Sequence, residues 1–482
     1  MEKLFSSMKE GEEWFYKCFG KGETYDATAR SIHLWDMPAL LLYINGLVDG
    51  NGLLSLLTEM QGRNGWEDSE ELENDHFLSF FPFHAVTEVK DHDELLTSIL
   101  SGQAAFVTPS GYVFVIDVRS YPGRQPEEPD NEKVIRGARD GFTENIVINT
   151  ALVRRRIRTE DLRFEIHQTT VNGKTDLVIA FIQGAASEKH LTYIRERLDK
   201  IIHDGLTMTD KSLEEFLFKQ RFHPMPFVRY TERPDTCAAH LLEGHIAIMV
   251  DTSPSVILVP VSLFHHLQHA EEYRQAPLIG TFVRLVRFIG AGMSLVLLPF
   301  WYLVATKQHY LPDFLSYIGP NDIGEVPLLV QLLIADLGIE VLRMAAIHTP
   351  TPMSTAMGLV AAIVIGQVAI DVGLFTPEVV LYVAVSAIFT FAIPSFELSI
   401  TTKVFRVCIL LSTAILGAPG FFMSVAVLFY YLCSLRPMGV PYLWPAVPFF
   451  PRAMMRVLIR FPMTADVPRP YIVDAPERDR TK

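Results

Sequence analysis

The chain has 482 residues, with 42 Lys and Arg against 55 Asp and Glu, for a formal net charge of −13. That balance excludes the broad basic footprint of a nucleic-acid-binding protein, and the length predicts two or three domains rather than one core. Charged residues make up only 20% and hydrophobic residues 49%, and the average hides a split: the first 280 or so residues carry most of the charge, whereas Phe288–Leu435 carries little.

Met1–Cys18 contains no apolar run of the kind found in a secretory signal, so the N-terminal half is expected in the cytoplasm. Cys18, Cys237, Cys408 and Cys433 lie far apart without a CxxC pair, which predicts neither a disulfide framework nor a zinc ribbon. Met37–Val48 and Asp91–Leu100 read as helical, and Ala105–Val107 and Tyr112–Val118 as a hairpin around Pro109–Gly111. The charged, proline-rich run Ser120–Lys133 marks a boundary. Beyond it, Thr143 is placed to cap a helix with an apolar stripe of Ile146, Thr150, Val153 and Ile157. Phe164–Gln168 and Thr175–Ile182 read as strands joined by a turn at Asn172–Gly173. Leu191, Ile194, Leu198 and Ile201 mark another helix; Ile246–Val250 and Val256–Val259 are short apolar strands. Alternating strands and helices give a small α/β domain.

A membrane-crossing helix needs about 20 largely apolar residues, because lipid satisfies no exposed backbone group. Phe288–Thr306, a stretch from about Ser354 to Ile370, Val379–Phe396, and Val407–Leu435 with its interruption at Gly417–Gly420 have this character. Val326–Arg343 is amphipathic: Leu328, Leu332, Ala335, Ile339 and Leu342 lie on one side, and Asp336, Glu340 and Arg343 on another at i, i+4, i+7. It reads as an interfacial helix, a re-entrant segment, or a spanning helix that faces a water-filled interior. Arg284 and Arg287 before the first run, and Arg436, Arg452, Arg456 and Arg460 after the last, place both ends inside and call for an even number of crossings. The predicted fold class is multi-domain, with an α/β cytoplasmic N-terminal half and a polytopic α-helical transmembrane domain. Its predicted parts are 1–125 and 126–280, both soluble α/β, then 281–440 transmembrane, and 441–482 a cytoplasmic tail.

The run EKVIRGARDGFTENIVINTALVRRRIR (Glu132–Arg158) is followed in order by YTERPD (Tyr230–Asp235), DTSPSVILVP (Asp251–Pro260), IGQVAIDVGL (Ile365–Leu374) and FAIPSFELS (Phe391–Ser399). Together they resemble the signature of the spore germination receptor A-subunit family, the GerABKA family, over roughly Ser120 to Leu435. Details such as HLLEGHI (His240–Ile246) and PYLWP (Pro441–Pro445) resemble one sporulation branch of it. The resemblance implies a multi-pass protein of the spore inner membrane with a role in nutrient-triggered germination. It implies a homo-oligomeric, ion-conducting subunit, with a second membrane protein of the germination machinery as partner.

Candidate site residues follow. Gly358, Ala362 and Gly366 recur at i, i+4, i+8, a small-residue face that lets helices approach closely in an oligomer or around a pore. Gln367, Asp371 and Glu378 come next; repeated by symmetry, such groups build a cation path. The competing reading is packing within the chain with an acid at the surface. Asp336, Glu340 and Arg343 are either a mutually paired cluster joining helices or part of a conduction route. Arg154, Arg155, Arg156 and Arg158 suit salt bridges between protomers, with a lipid headgroup as the next reading. Nothing aromatic accompanies them as a stacking platform, so no nucleic-acid partner is expected. His265, His266 and His269 invite a metal, but neither HExxH nor a third ligand at a characteristic spacing supports one; a pH-sensitive amphipathic juxtamembrane helix is preferred. GxSxG, Walker A and GxGxxG constellations are missing, so neither enzyme nor cofactor is expected, and membrane lipid is the remaining partner. Two alternatives stand beside the channel: a non-conducting scaffold that clusters germination receptors, and a transporter, which calls for inverted repeats and of whose broken helices only Gly417–Gly420 gives a hint.

Overall fold

Two antiparallel sheets and a helical region organise the chain in the computed structural model. It describes residues 3–19, 27–34, 37–45, 47–61, 86–120, 125–129, 132–169, 173–203, 205–218, 223–307, 318–320, 325–348, 358–360, 362–462, 464 and 468–476. The chain divides into two units, Met1–Gln125 and Pro126–Lys482.

In the first unit, α1 (Met8–Phe19) precedes a hairpin of β1 (Ala27–Leu34) and β2 (Met37–Ile44). Then come α2 (Gly50–Gln61), β3 (Val86–Val89), α3 (His92–Leu100), β4 (Ala104–Val107) and β5 (Val113–Ile116). The strand order is β1-β2-β4-β5-β3, antiparallel throughout. The helix expected at Met37–Val48 is therefore corrected: most of that run is strand β2. Leu41 packs into one apolar cluster, with Ile32, Leu56 and Phe106. Leu40, Leu42 and Ile44 pack into another, with Phe15, Leu95 and Val115. A strand covered on both faces reads as an unbroken apolar run, so its two-residue period is hidden. Asp91 caps α3, its carboxylate accepting from the backbone N–H of Asp93 (3.0 Å) and Glu94 (3.1 Å).

The second unit begins with α4 (Ile146–Arg156), β6 (Leu162–Thr169), β7 (Thr175–Ile182), α5 (Glu188–Leu198) and α6 (Thr209–Phe218). It continues through β8 (Arg229–Thr231), α7 (Pro234–Glu243), β9 (Ile246–Val250) and β10 (Val256–Val259). The sheet order is β6-β7-β9-β10-β8, again antiparallel. The cap of α4 is Asn145, not Thr143: its side chain accepts from Val147 (2.9 Å) and Ile148 (3.2 Å), while the Thr143 hydroxyl accepts from the Asn145 N–H. Asn172 of the expected turn lies outside the described residues. Gly244 ends α7 at φ +97°, where a Cβ would lie 2.6 Å from the Ala185 carbonyl oxygen.

Beyond the sheet, α8 (Leu263–Leu267) and α9 (Ala270–Arg274) are separated by extended backbone at Gln268. His265 lies within α8 and His269 is the N-cap of α9, so the single amphipathic helix expected to carry both is corrected. The helical region is α10 (Pro277–Thr306), α11 (Leu328–His348), a π-helical segment (Ala362–Val368) running into a short turn at Ala369–Asp371, α12 (Pro377–Phe391), α13 (Phe396–Leu416), α14 (Ala418–Ser434) and α15 (Pro451–Leu458). Two helices, α10 and α13, are long and apolar enough to cross a membrane; α12 and α14 are apolar but shorter. Leu298 and Trp301 of α10, Leu332 and Ala335 of α11, Val379 and Val383 of α12, and Leu410 of α13 share one apolar cluster. Outward, α10 exposes Leu278, Ile279, Phe282, Val286 and Ile289. A helix standing in water buries such a stripe; one in lipid leaves it bare. The run Val407–Leu435 is split at Gly417 (φ 67°, ψ −141°). Helix α13 starts before that run and takes Glu397, Lys403 and Arg406 into its own length.

Candidate functional site

Charge inside an apolar helical bundle is costly unless it is paired and hydrogen-bonded. Arg406 on α13 meets that requirement. Its side chain is fully buried, and one Nη lies 2.6 Å from Oδ1 of Asp336 on α11. The other Nη donates to the hydroxyls of Ser386 (2.7 Å) and Thr390 (3.1 Å) on α12, and to the Ser294 carbonyl (3.0 Å) on α10. One guanidinium therefore joins four helices.

One turn along α11, Glu340 pairs with Arg343, whose Nε lies 3.0 Å from the carboxylate, and with Lys403 of α13. Arg343 also donates to the Ser399 hydroxyl at 3.0 Å and sits over the Phe396 ring at 5.0 Å. The sequence placed Asp336, Glu340 and Arg343 on one face of α11. It did not identify Lys403 and Arg406 as their partners. The available signal was Ser399, Lys403 and Arg406 at helical spacing on one face of α13.

A second network begins at the start of α13. Lys211 on α6 lies 3.1 Å from Glu397 and 2.5 Å from Glu214, and the Tyr230 hydroxyl of β8 donates to Glu214 at 2.8 Å. Burial pushes the Glu214 carboxyl and the Tyr230 hydroxyl upward in pKa. The Thr401 hydroxyl reaches the Pro224 carbonyl (2.5 Å). These bonds tie the second sheet and its helices directly to α13.

The small-residue segment is arranged differently. Gly358 and Ala362 are described on either side of residue 361, which is outside the described residues, as are 351–357. A Cβ at Gly358 or Gly366 would meet nothing within 4 Å. Gln367 and Asp371 are exposed, and Glu378 is half-buried in the first turn of α12. Among the described residues Asp371 has no ion pair. The π-helical geometry of Ala362–Val368 gives this segment a wider turn than the α-helices beside it. The structure does not bring these residues together with the α11–α13 charges.

Of Arg154, Arg155, Arg156 and Arg158, three donate within the protomer, Arg158 through its Nε to the Arg155 carbonyl at 3.2 Å. Arg156 forms a two-pronged pair with Asp140 (2.6 Å) and donates to the Leu152 carbonyl. Arg154 donates to the carbonyls of Thr159 and Leu162 (both 2.9 Å) and covers Phe164. Arg155 and Arg158 are exposed.

His240, His245 and His265 pack together, with ring centroids 5.1–6.2 Å apart. Burial holds His240 and His265 well below the ordinary histidine pKa, His266 down to about 3 and His269 to about 4, so all four stay neutral near pH 7. His240 bonds the Thr236 carbonyl through Nδ1 (2.8 Å), and His265 Nδ1 accepts from the Ser262 N–H in a capping box. Among the described residues no group of three or more His, Cys, Asp or Glu is placed to hold a metal.

The chain matches the family model described as Bacillus/Clostridium GerA spore germination protein over residues 14–472. It is 47% identical over 480 residues to stage V sporulation protein AF of Bacillus subtilis (strain 168), an alignment covering 99% of this chain and 97% of the relative. It is 30% identical over 472 residues to spore germination protein KA of the same strain, covering 95% and 86%. Among solved structures, the N-terminal domain of the A subunit of the Bacillus megaterium spore germinant receptor GerK3 is 25% identical. That match covers 54% of this chain and 96% of the domain, with a TM-score of 0.21.

Proposed function

Because the chain belongs to the GerA spore germination protein family, we propose that it is a polytopic subunit of the spore inner membrane that conducts small ions as a homo-oligomer during germination. The observation that carries this reading is the exposure of Gln367 and Asp371 close to Gly358 and Gly366. Among the described residues nothing lies within 4 Å of a Cβ added at Gly358 or Gly366, and Gln367 and Asp371 are exposed. A small-residue face left bare in one copy suits close packing against another, and polar groups beside it suit the wall of a narrow path. In this reading 1–125 and 126–280 are each soluble domains in the spore core, 281–440 is the membrane domain, and 441–482 is a tail in the same compartment. Arg155 and the exposed remainder of the Arg158 guanidinium reach a neighbouring subunit, and a second membrane protein of the germination machinery works with the oligomer.

The experiment is ionic current through the purified, reconstituted full chain, comparing wild type with Gly366→Trp. A side chain at Gly366 has open space within the protomer, so the variant is expected to insert and assemble while its current falls at least tenfold. No wild-type current from intact oligomers removes conduction by this chain alone. A non-conducting scaffold is the second reading. It is favoured by the full pairing of Asp336 and Glu340, whose charges are tied up between helices and line nothing.

A further inference from the structure

A cavity of about 1110 Å³ lies where the second sheet, α8–α10 and the C-terminal segment meet. Its polar wall holds seven arginines against two carboxylates, Asp235 and Glu243. Asp235 is already paired with Arg233 and Arg274. Among the described residues three of the other arginines have no carboxylate within ion-pair distance. Arg229 is buried and donates only to carbonyls, those of His265 (2.9 Å) and Gln268 (3.3 Å), with the neutral His240 ring at 3.5 Å. Arg452 and Arg456 stand one turn apart on α15.

Two further guanidiniums hold buried N–H groups that nothing among the described residues accepts. Arg284 on α10 pairs with Glu272 (2.7 Å) and donates to the carbonyls of Arg456 and Val457, yet its second Nη is buried without a partner. Arg460 donates to the Tyr273 carbonyl (2.6 Å) and leaves its Nε likewise. Buried N–H groups without acceptors are costly, and buried guanidiniums without counter-charge more so. A cavity that gathers both is built for an anion. The histidines on its wall, His240, His265 and His269, stay neutral and do not compete for one.

Apolar side chains share the lining with these guanidiniums: Leu242, Phe264, Trp444, Phe450, Val457 and Phe461. The volume is many times that of an inorganic phosphate and falls in the range of sites that hold a whole small molecule. Arg284 sits in the third turn of α10, on the opposite side from the bare stripe that begins at Leu278. If α10 crosses a membrane, this places the cavity at headgroup depth, where guanidiniums suit phosphate and apolar side chains suit glycerol and the first acyl carbons.

We propose that this cavity binds a phosphate ester carried on an apolar body, namely the headgroup of an anionic phospholipid. The proposal goes beyond ion conduction and does not rest on it; only the lipid source rests on α10 crossing a membrane. A soluble phosphate ester shares the same chemistry, and the test separates the two.

The experiment is native mass spectrometry of the detergent-solubilised full chain with phosphatidylglycerol, with phosphatidylcholine, and with glycerol 3-phosphate as competitor. The variants are Arg452→Gln/Arg456→Gln, at exposed and half-exposed positions, and the charge-matched control Arg136→Gln/Arg139→Gln at exposed positions outside the cavity. Phosphatidylglycerol is expected to be retained in preference to phosphatidylcholine. Loss of two charge-assisted contacts is expected to lower its occupancy about tenfold, with the control unchanged. Should the double variant unfold, Arg452→Gln alone is expected to give about a threefold loss. Displacement by millimolar glycerol 3-phosphate assigns the site to a soluble ester. Equal retention of the two lipids with no binding of glycerol 3-phosphate overturns the proposal, as does an identical loss in the cavity variant and its control.

Discussion

The two sheets share one strand order and differ in what they bury. In each, a leading helix is followed by a hairpin, then by helical sequence, an edge strand, one helix and a closing hairpin, with the edge strand paired to the last strand. The described interior of the first is apolar on both faces, and Thr108 is its one buried polar side chain among the described residues. The second buries Glu214, Arg229, Arg233, His190, His240 and His245. The contrast is sharpest at the edge strand. β3 presents Val86 and Val89 to the first core, whereas β8 presents Arg229 and Thr231. An edge strand has an open flank, so a long polar side chain there reaches past the sheet without breaking its ladder. Arg229 uses that reach to hold the backbone of α8 and its exit at Gln268. One topology thus serves once as a plain core and once as a mount wired to the segment that leads into α10.

The largest expected effect on this comparison is at Arg233. It is fully buried, grips Asp235 at 2.9–3.0 Å, and holds the carbonyls of Glu132 and Ala138. Arg233→Met is expected to cost about 3–5 kcal/mol. Amide-exchange protection should fall in β9 and β10 and hold in β4 and β5; equal loss in both sheets would mean that the difference in wiring is immaterial.

Acid gives the next effect. Histidines buried in the neutral form stabilise the fold above their unfolded pKa of about 6.5, and that stability is lost as pH falls toward the folded values. For His269 those are about 6.5 and about 4, and each unit of downward shift corresponds to about 1.4 kcal/mol. The second unit should therefore lose exchange protection, corrected for intrinsic rates, between about pH 6.5 and 4. The first unit, whose described histidines His33 and His92 are exposed, is the internal comparison.

The smallest effect tests what the two share. Asp91 and Asn145 cap α3 and α4 with the same pair of side-chain-to-backbone bonds. Alanine at either is expected to cost about 1 kcal/mol in urea unfolding, each confined to its own unit. A much larger loss at Asn145 would show that the second unit draws on this cap for more than its helix.

The strands of the second sheet were legible wherever turn residues bracketed a β-branched run: Thr175–Ile182, Ile246–Val250 and Val256–Val259 are β7, β9 and β10. β2 was not, because burial of Leu40, Leu41 and Leu42 on both faces leaves no alternation to read. Half of the helical charge network was visible in the spacing of Asp336, Glu340 and Arg343, since those residues share one helix. Its other half lies 60 residues or more away, as Glu340–Lys403 and Asp336–Arg406 are separated by 63 and 70 positions. The cavity arginines come from β8, α9, α10, α15 and the tail; Arg284, Arg452, Arg456 and Arg460 stood out in the sequence only as charges flanking apolar runs, and nothing local joined them to Arg229.

The hub at Arg406 also limits how the bundle can move. A guanidinium is planar, carries its donors in fixed directions and does not surrender its proton near neutrality. With α10, α11 and α12 all gripped by that one plane, none of the three can rotate about its own axis without breaking a bond in a place where water cannot replace it. Those helices and α13 are therefore expected to travel as a single block. Movement of these helices is expected as a tilt or slide of the whole block rather than a rotation of one member within it.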